Sequence, residues 1–118
     1  MTIEQIADRL TGLCKQGQYE TAQRELYAHD AISIEPEHAP GLKTVAGLDH
    51  IIEKGHQFQG MIEALHSNTV TGPIIAGNYF SVAAVIDVTL KGMGRSTMTE
   101  IAVYKVDGGK IVSEQFIY

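Results

Sequence analysis

The sequence predicts an α+β fold in which helices cover one face of a curved, mainly antiparallel sheet. Three stretches space their apolar residues three or four apart, which is typical of amphipathic helices. Nearly everything after His66 is rich in Val, Ile and aromatic residues or alternates with period two, which is typical of strands. The 118 residues suffice for one core, so a single domain over residues 1–118 is expected.

The first two helices are predicted at the N-terminus. Thr2 and Gln5 have the spacing of a capping box, and Gly17 ends the first helix. A second helix is predicted from Tyr19 to Ala28. The apolar stripe of the first helix contains Ile3, Ile6, Ala7, Leu10, Leu13 and Cys14. Cys14 is therefore interpreted as a small core residue and not as a reactive thiol.

A short strand, a loop and a long helix follow. Ala31–Glu35 alternates with period two and is predicted to be a strand, which Pro36 ends. Residues 36–44 contain two prolines and a glycine and are predicted to form a loop. A third helix is predicted from Leu48 to Leu65. Its apolar stripe contains Leu48, Ile51, Ile52, Gly55, Phe58, Ile62 and Leu65.

The rest of the chain is predicted to form antiparallel strands. These strands are His66–Ile75, Asn78–Leu90, Ser96–Val106 and Lys110–Tyr118. Gly72-Pro73 interrupts the first of them, and residues 91–94 turn the second into the third. Asp107-Gly108-Gly109 is predicted to be a tight hairpin between the last two strands.

Composition and charge exclude several classes of function. Fourteen acidic and nine basic residues give a net charge of −5, which does not suit a nucleic-acid-binding surface. No apolar run approaches the roughly 18 residues of a membrane helix. The first residues lack the pattern of a signal peptide, so a cytoplasmic protein is expected.

No metal ion or cofactor is expected. His50 and His56 are six residues apart on the predicted helix, where a zinc pair needs three or four. Residues 35–38, Glu-Pro-Glu-His, form only a weak chelating pattern. The glycines match no phosphate-binding loop, and no nucleophile elbow is present.

Two motifs stand out, the run from Leu26 to Ala31 into a strand that ends Glu35-Pro36, and the closing run from Gly109 to Phe116. These motifs and the order of the elements resemble the SnoaL-like branch of the nuclear transport factor 2-like superfamily. The resemblance covers the whole chain and implies a cone-like fold, in which a strongly curved sheet surrounds a cavity that opens among the three N-terminal helices. The superfamily contains ketosteroid isomerases, scytalone dehydratase, limonene epoxide hydrolase and polyketide cyclases, but also carriers and interaction modules, so the fold does not decide the function.

The resemblance also implies positions for functional residues. In ketosteroid isomerases the proton-shuttling carboxylate directly precedes a proline at the end of the first strand, where this chain has Glu35. The oxyanion-binding tyrosine of that family falls on Leu10, and its second oxyanion acid falls on Ile101, next to Glu100. Steroid isomerisation is therefore not expected. The pocket-lining positions of the last strand correspond to Glu114, Phe116 and Tyr118.

Glu35 is the favoured catalytic base, and two orientations are open for it. A carboxylate held in a dry cavity acquires a raised pKa, which suits acid–base chemistry at neutral pH. Strand alternation places Glu35 on the opposite face of the strand from Ile32 and Ile34. If the two isoleucines face the core, Glu35 therefore points to solvent. The resemblance instead places Glu35 inward and leaves both isoleucines for a convex face.

Glu114 is a second candidate acid. It alternates with Val112, Phe116 and Tyr118 on one face of the last strand. Because this face is mostly apolar or aromatic, it is expected to be the concave one, and Glu114 would be a buried polar residue that needs an explanation.

Glu100 is a third candidate acid, and its direction depends on the preceding turn. A three-residue turn at Gly92-Met93-Gly94 sets it inward, opposite Ile86, whereas a two-residue turn sets it outward. Carboxylates that share one cavity would have their pKa values pushed apart, as an acid and base pair requires. Alternatively, one of the acids pairs with Arg95 or Lys105.

The expected function is a cavity for a small, mostly apolar ligand. The candidate ligand contacts are Phe58, Ile62, Tyr104, Phe116, Tyr118 and His38. Phe58 and Ile62 could instead be plain core, and His38 a solvated loop residue. If it is an enzyme, a cofactor-free isomerase, cyclase or dehydratase of a carbonyl compound is expected, with Glu35 as the base and another acid as the proton donor. A non-catalytic ligand binder and a dimeric interaction module with a filled core stay open.

A homodimer through the convex face of the sheet is also expected. That face of the long strand carries Ser81, Ala83, Val85, Asp87 and Thr89. These side chains are less charged than those of a solvated face usually are. The expected apolar centre consists of Ile32, Ile34, Val85 and Ile117. Twofold pairing is the commonest way to cover such a surface.

Overall fold

The computed structural model describes residues 1–39 and 41–118. Its helices are α1 (Ile3–Lys15), α2 (Tyr19–Leu26) and α3 (Leu48–Met61). Its strands are β1 (Tyr27–Ile34), β2 (Val45–Ala46), β3 (Ile62–Val70), β4 (Ile74–Ala76), β5 (Tyr79–Leu90), β6 (Gly94–Asp107) and β7 (Lys110–Ile117). Within these residues, no helix is long and apolar enough to cross a membrane.

The strands form one mixed sheet in the order β2-β1-β7-β6-β5-β3, and β4 pairs with β5 beside this path. All pairs are antiparallel except β1 and β7, which run parallel. The predicted α+β class with three helices and a mainly antiparallel sheet is confirmed. The segments 36–39 and 41–44 form neither helix nor strand, as predicted, and Pro40 of that predicted loop lies outside the described residues.

Local signals in the sequence fix several element ends. Thr2 and Gln5 form the predicted capping box at the start of α1. Asp107 pairs with Lys110 around a two-residue turn in which Gly108 and Gly109 have φ of 59° and 77°. Both glycines therefore have the positive φ that a tight hairpin turn of this kind requires. The predicted hairpin is confirmed.

The junction between α2 and β1 comes earlier than the sequence predicts. The predicted helix extends to Ala28 and the strand begins at Ala31, whereas α2 ends at Leu26 and β1 begins at Tyr27. The reason is a long-range pairing, because Tyr27 pairs with Ile111 of β7 and its side chain is buried. The register between β1 and β7 then shifts before Ile32, so the strand is irregular and lacks a clean alternation at its start.

The predicted end of the third helix at Leu65 is wrong. α3 ends at Met61, and Ile62 pairs with Leu90 as the first residue of β3. Two register shifts in β3 bring Ile62, Leu65 and Asn68 to the same side of the sheet, where all three line one cavity. Bulges thus give this strand the three-residue spacing of a helix.

The core lies between α1, α2 and the sheet. Its largest fully buried side chains include Phe80, Ile6, Leu26, Ile51 and Ile111. Phe80 of β5 stacks on Tyr104 of β6 with ring centroids 4.8 Å apart. A register shift in β7 buries Ile111 with Glu114, whereas the sequence placed Val112 on that face.

Candidate functional site

A cavity of about 500 Å³ lies between the helices and the sheet. Three carboxyl groups and one ammonium group line it, those of Glu35, Glu100, Glu114 and Lys54. The cavity wall also includes all six predicted ligand contacts, namely Phe58, Ile62, Tyr104, Phe116, Tyr118 and His38. The fold therefore brings the three candidate acids and the six candidate ligand contacts to one wall, which is otherwise mostly apolar.

Glu35 points inward. The side chains of Ser33 and Glu35 are buried, whereas the side chain of Ile32, on the opposite face of β1, is 41% exposed. The orientation implied by the family resemblance is therefore correct, and the one that turned the isoleucines to the core is wrong. Both carboxylate oxygens of Glu35 accept a hydrogen bond, Oε1 from the hydroxyl of Tyr118 and Oε2 from Nζ of Lys54, each at 2.8 Å.

Lys54 of α3 is a site residue that the sequence interpretation missed. Its ammonium donates to Glu35 and, at 2.6 Å, to Oγ of Ser33, and it lies 5.7 Å from the ring centroid of Phe116. A signal was present, because Lys54 follows Ile51 by three residues and precedes Phe58 by four, on the apolar stripe of the helix. A charged residue at such a position indicates a buried partner.

Glu114 of β7 is buried and is connected through Ser33 to Lys54 and Glu35. Its carboxylate accepts from Oγ of Ser33 at 2.6 Å and from the hydroxyl of Tyr27. Burial raises the pKa of Glu114, and the hydrogen bonds from Ser33 and Tyr27 oppose this rise. We use the name buried polar chain for the connected residues Tyr118, Glu35, Lys54, Ser33, Glu114 and Tyr27.

Glu100 of β6 faces the cavity without a hydrogen-bond partner among residues 1–39 and 41–118. A three-residue turn joins Leu90 to Gly94 and sets Glu100 opposite Ala84. The predicted partner, Ile86, is two residues away, and a shift of two keeps the same face inward. The alternative pairing of an acid with Arg95 is wrong, because Arg95 binds Asp87 at 2.8 Å. Lys105 lies over the ring of Tyr79 instead.

The environment of Glu100 favours its protonated form. Desolvation is the largest cause, and the negative charges of Glu35 and Glu114 add to it, while Lys54 acts in the opposite direction. Together they raise the pKa of Glu100 from 4.5 to about 7. Glu100 is thus a carboxyl group of the cavity that can exchange a proton near neutral pH.

Two smaller polar groups complete the wall. His38 is exposed and meets the ring of Tyr118 edge-on, with centroids 5.9 Å apart. Asn68 of β3 donates through Nδ2 to the backbone oxygen of Cys14 at 3.0 Å and to the hydroxyl of Tyr19 at 2.6 Å.

Burial raises the pKa of the Cys14 thiol to about 12, as expected for a core cysteine. In the described part of the chain, no three His, Cys, Asp or Glu side chains come together as a metal site.

The fold and sequence match known proteins. The family model for the SnoaL-like domain matches residues 1–118. The structure of a candidate SnoaL-like polyketide cyclase from Mesorhizobium loti is 36% identical, with 100% of both chains covered and a TM-score of 0.92. A comparison with curated proteins found no match.

Two more distant structures share the fold alone. IdmH, a candidate polyketide cyclase from Streptomyces antibioticus, is 21% identical over 98% of this chain and 91% of that one, with a TM-score of 0.70. A hypothetical protein with a ketosteroid isomerase-like fold from Catenulispora acidiphila, solved in complex with trimethylamine, is 21% identical over 99% and 87%, with a TM-score of 0.75. Because the family model matches every residue, and because the Mesorhizobium loti protein is similar over its whole length, this chain belongs to the SnoaL-like family within the nuclear transport factor 2-like fold.

Proposed function

We propose that the protein is a cofactor-free acid–base enzyme, an isomerase, cyclase or dehydratase, that acts on a small, mostly apolar carbonyl compound in the cavity. The observation that carries the proposal is Glu100, which faces this cavity with a pKa of about 7. Both of its protonation states are populated near neutral pH. A carboxyl group of this kind can take a proton from carbon and return it.

Lys54 supplies the positive charge that such a reaction needs. Its ammonium has three N–H donors, and two of them bind Glu35 and Ser33. We assign the third to the carbonyl oxygen of the substrate, because Lys54 lines the cavity. A fixed cation in apolar surroundings stabilises the negative charge that develops on that oxygen when the neighbouring carbon loses a proton.

The proposed step balances with these two groups. The carboxylate of Glu100 takes a proton from the carbon next to the carbonyl, and the C–H electron pair becomes the double bond of an enolate whose oxygen lies beside Lys54. Return of the proton to another carbon completes an isomerisation. Attack of the enolate carbon on a second carbonyl forms the new C–C bond, and the oxygen of that carbonyl takes the proton from Glu100, which completes a cyclisation. Departure of a β-hydroxyl group as water, with the proton from Glu100, completes a dehydration.

Glu35, the favoured base from the sequence, has a different role in this proposal. Both of its oxygens already accept hydrogen bonds, from Lys54 and Tyr118. Glu35 therefore positions the ammonium of Lys54. Glu114 acts in the same way on Ser33. The hydroxyl of Ser33 accepts a hydrogen bond from Lys54 and donates one to Glu114, so Glu114 fixes the second acceptor of the ammonium.

The name of the similar protein from Mesorhizobium loti describes a candidate polyketide cyclase and also gives carbohydrate phosphatase. The first of these descriptions supports cyclisation among the three reactions. Cyclisation of a compound with several carbonyl groups begins with the proton transfer described above. The apolar character of most of the cavity wall suits the carbon skeleton of such a compound.

Non-catalytic binding of the same type of ligand is the second candidate function. It is favoured by one specific observation, namely that the carboxylates of Glu35 and Glu114 are both occupied by partners within the protein. A dimeric interaction module with a filled interior is disfavoured, because a cavity of about 500 Å³ is in the range of small-molecule sites.

Deuterium exchange at carbon separates the two functions without knowledge of the substrate. The unmodified protein, Glu100→Gln and the control Glu63→Gln, whose side chain is exposed on β3, are each incubated with 2-octanone in D₂O. Proton NMR then follows the loss of signal next to the carbonyl. We expect exchange with the unmodified protein and the control, and a loss of about 100-fold or more with Glu100→Gln.

The outcomes are distinct. Equal exchange rates for Glu100→Gln and the unmodified protein would overturn the role of Glu100. Binding of 2-octanone without any acceleration of exchange would favour the non-catalytic function.

We also propose that two copies pair through the sheet face opposite the cavity. Ile101 and Ile117 are neighbours across β6 and β7 and are 48% and 51% exposed there. Ala83 continues this row on β5, and Val85 and Ile32 are exposed on the same face. Ile101 is thus a further member of the proposed apolar centre of the dimer interface, which the sequence interpretation did not include. A cytoplasmic location and the absence of nucleic-acid partners stay predictions.

A further inference from the structure

The cavity has a second end that the proposed chemistry does not use. This methionine end consists of Met61, Ile62, Leu65, Met93 and Met98, all of which line the cavity. Leu65 and Met93 do so although they are 53% and 66% exposed. Side chains that both line a cavity and meet solvent mark an opening, so the cavity reaches the surface at this end, as it also does beside the exposed His38 at the polar end.

The two ends are separated along α3. Lys54, Phe58 and Met61 follow one another at spacings of four and three residues, which places them on one side of the helix. Seven residues of α-helix correspond to about 10 Å. Lys54 belongs to the buried polar chain and Met61 to the methionine end, so the cavity is polar at one end of this distance and apolar at the other.

The sheet repeats this order. On β6, Met98 precedes Glu100 by two residues and so lies on the same face, about 7 Å nearer to the turn. Glu35 and Glu114 lie on or next to β1 and β7 at the far side, whereas β3 and the turn after β5 contribute Ile62, Leu65 and Met93. All five side chains of the methionine end are uncharged.

Met93 is held at the opening by the turn between β5 and β6. Residues 91–93 form this turn, and Gly92 and Gly94, on either side of Met93, have φ of 76° and 81°. The amide of Lys91 donates to the backbone oxygen of Met61 at 2.9 Å, which fixes the turn against the end of α3. Methionine is unbranched and polarisable, and it adapts to apolar groups of different shape.

From this polarity we infer that the ligand is amphipathic and binds in one orientation, with its carbonyl group at Lys54 and Glu100 and an unbranched apolar chain that leaves through the methionine end. Met93 determines how much of the chain is buried. The identity of the polar group rests on the proposed function. The shape, the orientation and the role of Met93 rest on the cavity alone.

A series of methyl ketones from 2-hexanone to 2-dodecanone tests the inference by calorimetric titration of the full chain. Each methylene that enters the cavity should tighten binding about fourfold, and methylenes beyond Met93 should add nothing. Met93→Trp fills the opening and should weaken the longest ketones tenfold or more, with 2-hexanone unchanged. Lys91→Ala, an exposed position of the same turn that does not line the cavity, is the matched control.

Chain orientation is measured separately with a methyl ketone that carries a nitroxide at the end of its chain. It should broaden the methyl signals of Met93 and Met61 clearly more than the ring signals of Tyr118. The reverse pattern would contradict the orientation. Affinities that do not depend on chain length, or an equal effect of Met93→Trp on short and long ketones, would overturn the role of the methionine end.

Failure of this inference and failure of the proposed function give different results. If affinity increases with chain length and Met93→Trp acts as described, but Glu100→Gln leaves carbon exchange unchanged, the binding inference stands and the enzymatic proposal fails. If Glu100 catalyses exchange on ketones of every length with equal affinity, the enzymatic proposal stands and the inference fails.

Discussion

Lys54 and Glu35 form an ion pair of 2.8 Å in which the two side chains are only 9% and 4% exposed. The pair joins the middle of α3 to the end of β1, and Ser33 and Tyr118 add a hydrogen bond to each side. Burial of two charges is costly and is offset only by good geometry and further hydrogen bonds. This pair has both, so each partner depends on the other.

Removal of the cation is therefore expected to be strongly destabilising. Lys54→Met should lower the free energy of unfolding by about 3–5 kcal/mol, because Glu35 is left buried without its counter-charge. The double variant Lys54→Met, Glu35→Gln should recover most of this loss. Urea denaturation measures both, with Lys43→Met at an exposed position as the control. A loss below about 1 kcal/mol for Lys54→Met would mean that the pair does not hold α3 to β1.

Two cavity-lining positions of different burial should respond differently to truncation. Leu10→Ala should cost about 2–5 kcal/mol in the free energy of unfolding, since Leu10 is only 2% exposed and packs within the core cluster. From the sequence Ile62→Ala is expected to cost as much, but Ile62 is only partly buried on β3. Its truncation removes less buried apolar surface and should cost clearly less. Chemical denaturation that gives equal losses for both would contradict this difference.

Stability should fall as the pH rises toward neutrality. The pKa of Glu100 is about 7 in the folded chain against an ordinary 4.5, so between these values the folded state holds more protons than the unfolded one. The free energy of unfolding should therefore decrease by on the order of 2–3 kcal/mol from about pH 4.5 to pH 7 and level off above. Glu100→Gln should remove this part of the pH dependence.

The comparison is made by urea denaturation at pH 5 and pH 8, where other titrating groups contribute equally to both proteins. The same change in unfolding free energy for Glu100→Gln and the unmodified protein would exclude a raised pKa at this position.

The proposed dimer should depend on the exposed isoleucines of the sheet. Sedimentation at micromolar concentration should give a mass near twice 12.8 kDa. Ile101→Arg or Val85→Arg should shift it toward the monomer, because a charge would be buried without a partner. Gln57→Arg, on the exposed side of α3, should leave the mass unchanged. A monomer at all concentrations for the unmodified protein would contradict the pairing.

Much of the fold could be predicted because its signals are local. The capping box of Thr2 and Gln5 and the hairpin at Gly108-Gly109 depend on neighbouring residues, and both are present as predicted. The resemblance to the SnoaL-like family also placed Glu35 inward, which strand alternation alone did not decide.

The errors arose where distant strands decide the structure. Bulges in β3 give Ile62 and Leu65 the three-residue spacing of a helix. The register shift in β7 turns Ile111 to the buried face, where the sequence predicted Val112. Lys54 was missed for a related reason, since its partners lie 19 and 21 residues away in sequence. Its place on the apolar stripe was visible, but the residues that neutralise it were not.

Titration of the Glu100 side chain tests the central claim most directly. Carboxyl-carbon NMR on the unmodified protein, with the signal assigned by its loss in Glu100→Gln, gives the pKa of this group without a substrate. We expect a midpoint near 7, because the cavity wall desolvates the carboxyl group and Glu35 and Glu114 lie near it. A midpoint near the ordinary value of about 4.3 would contradict the claim that Glu100 exchanges a proton at neutral pH.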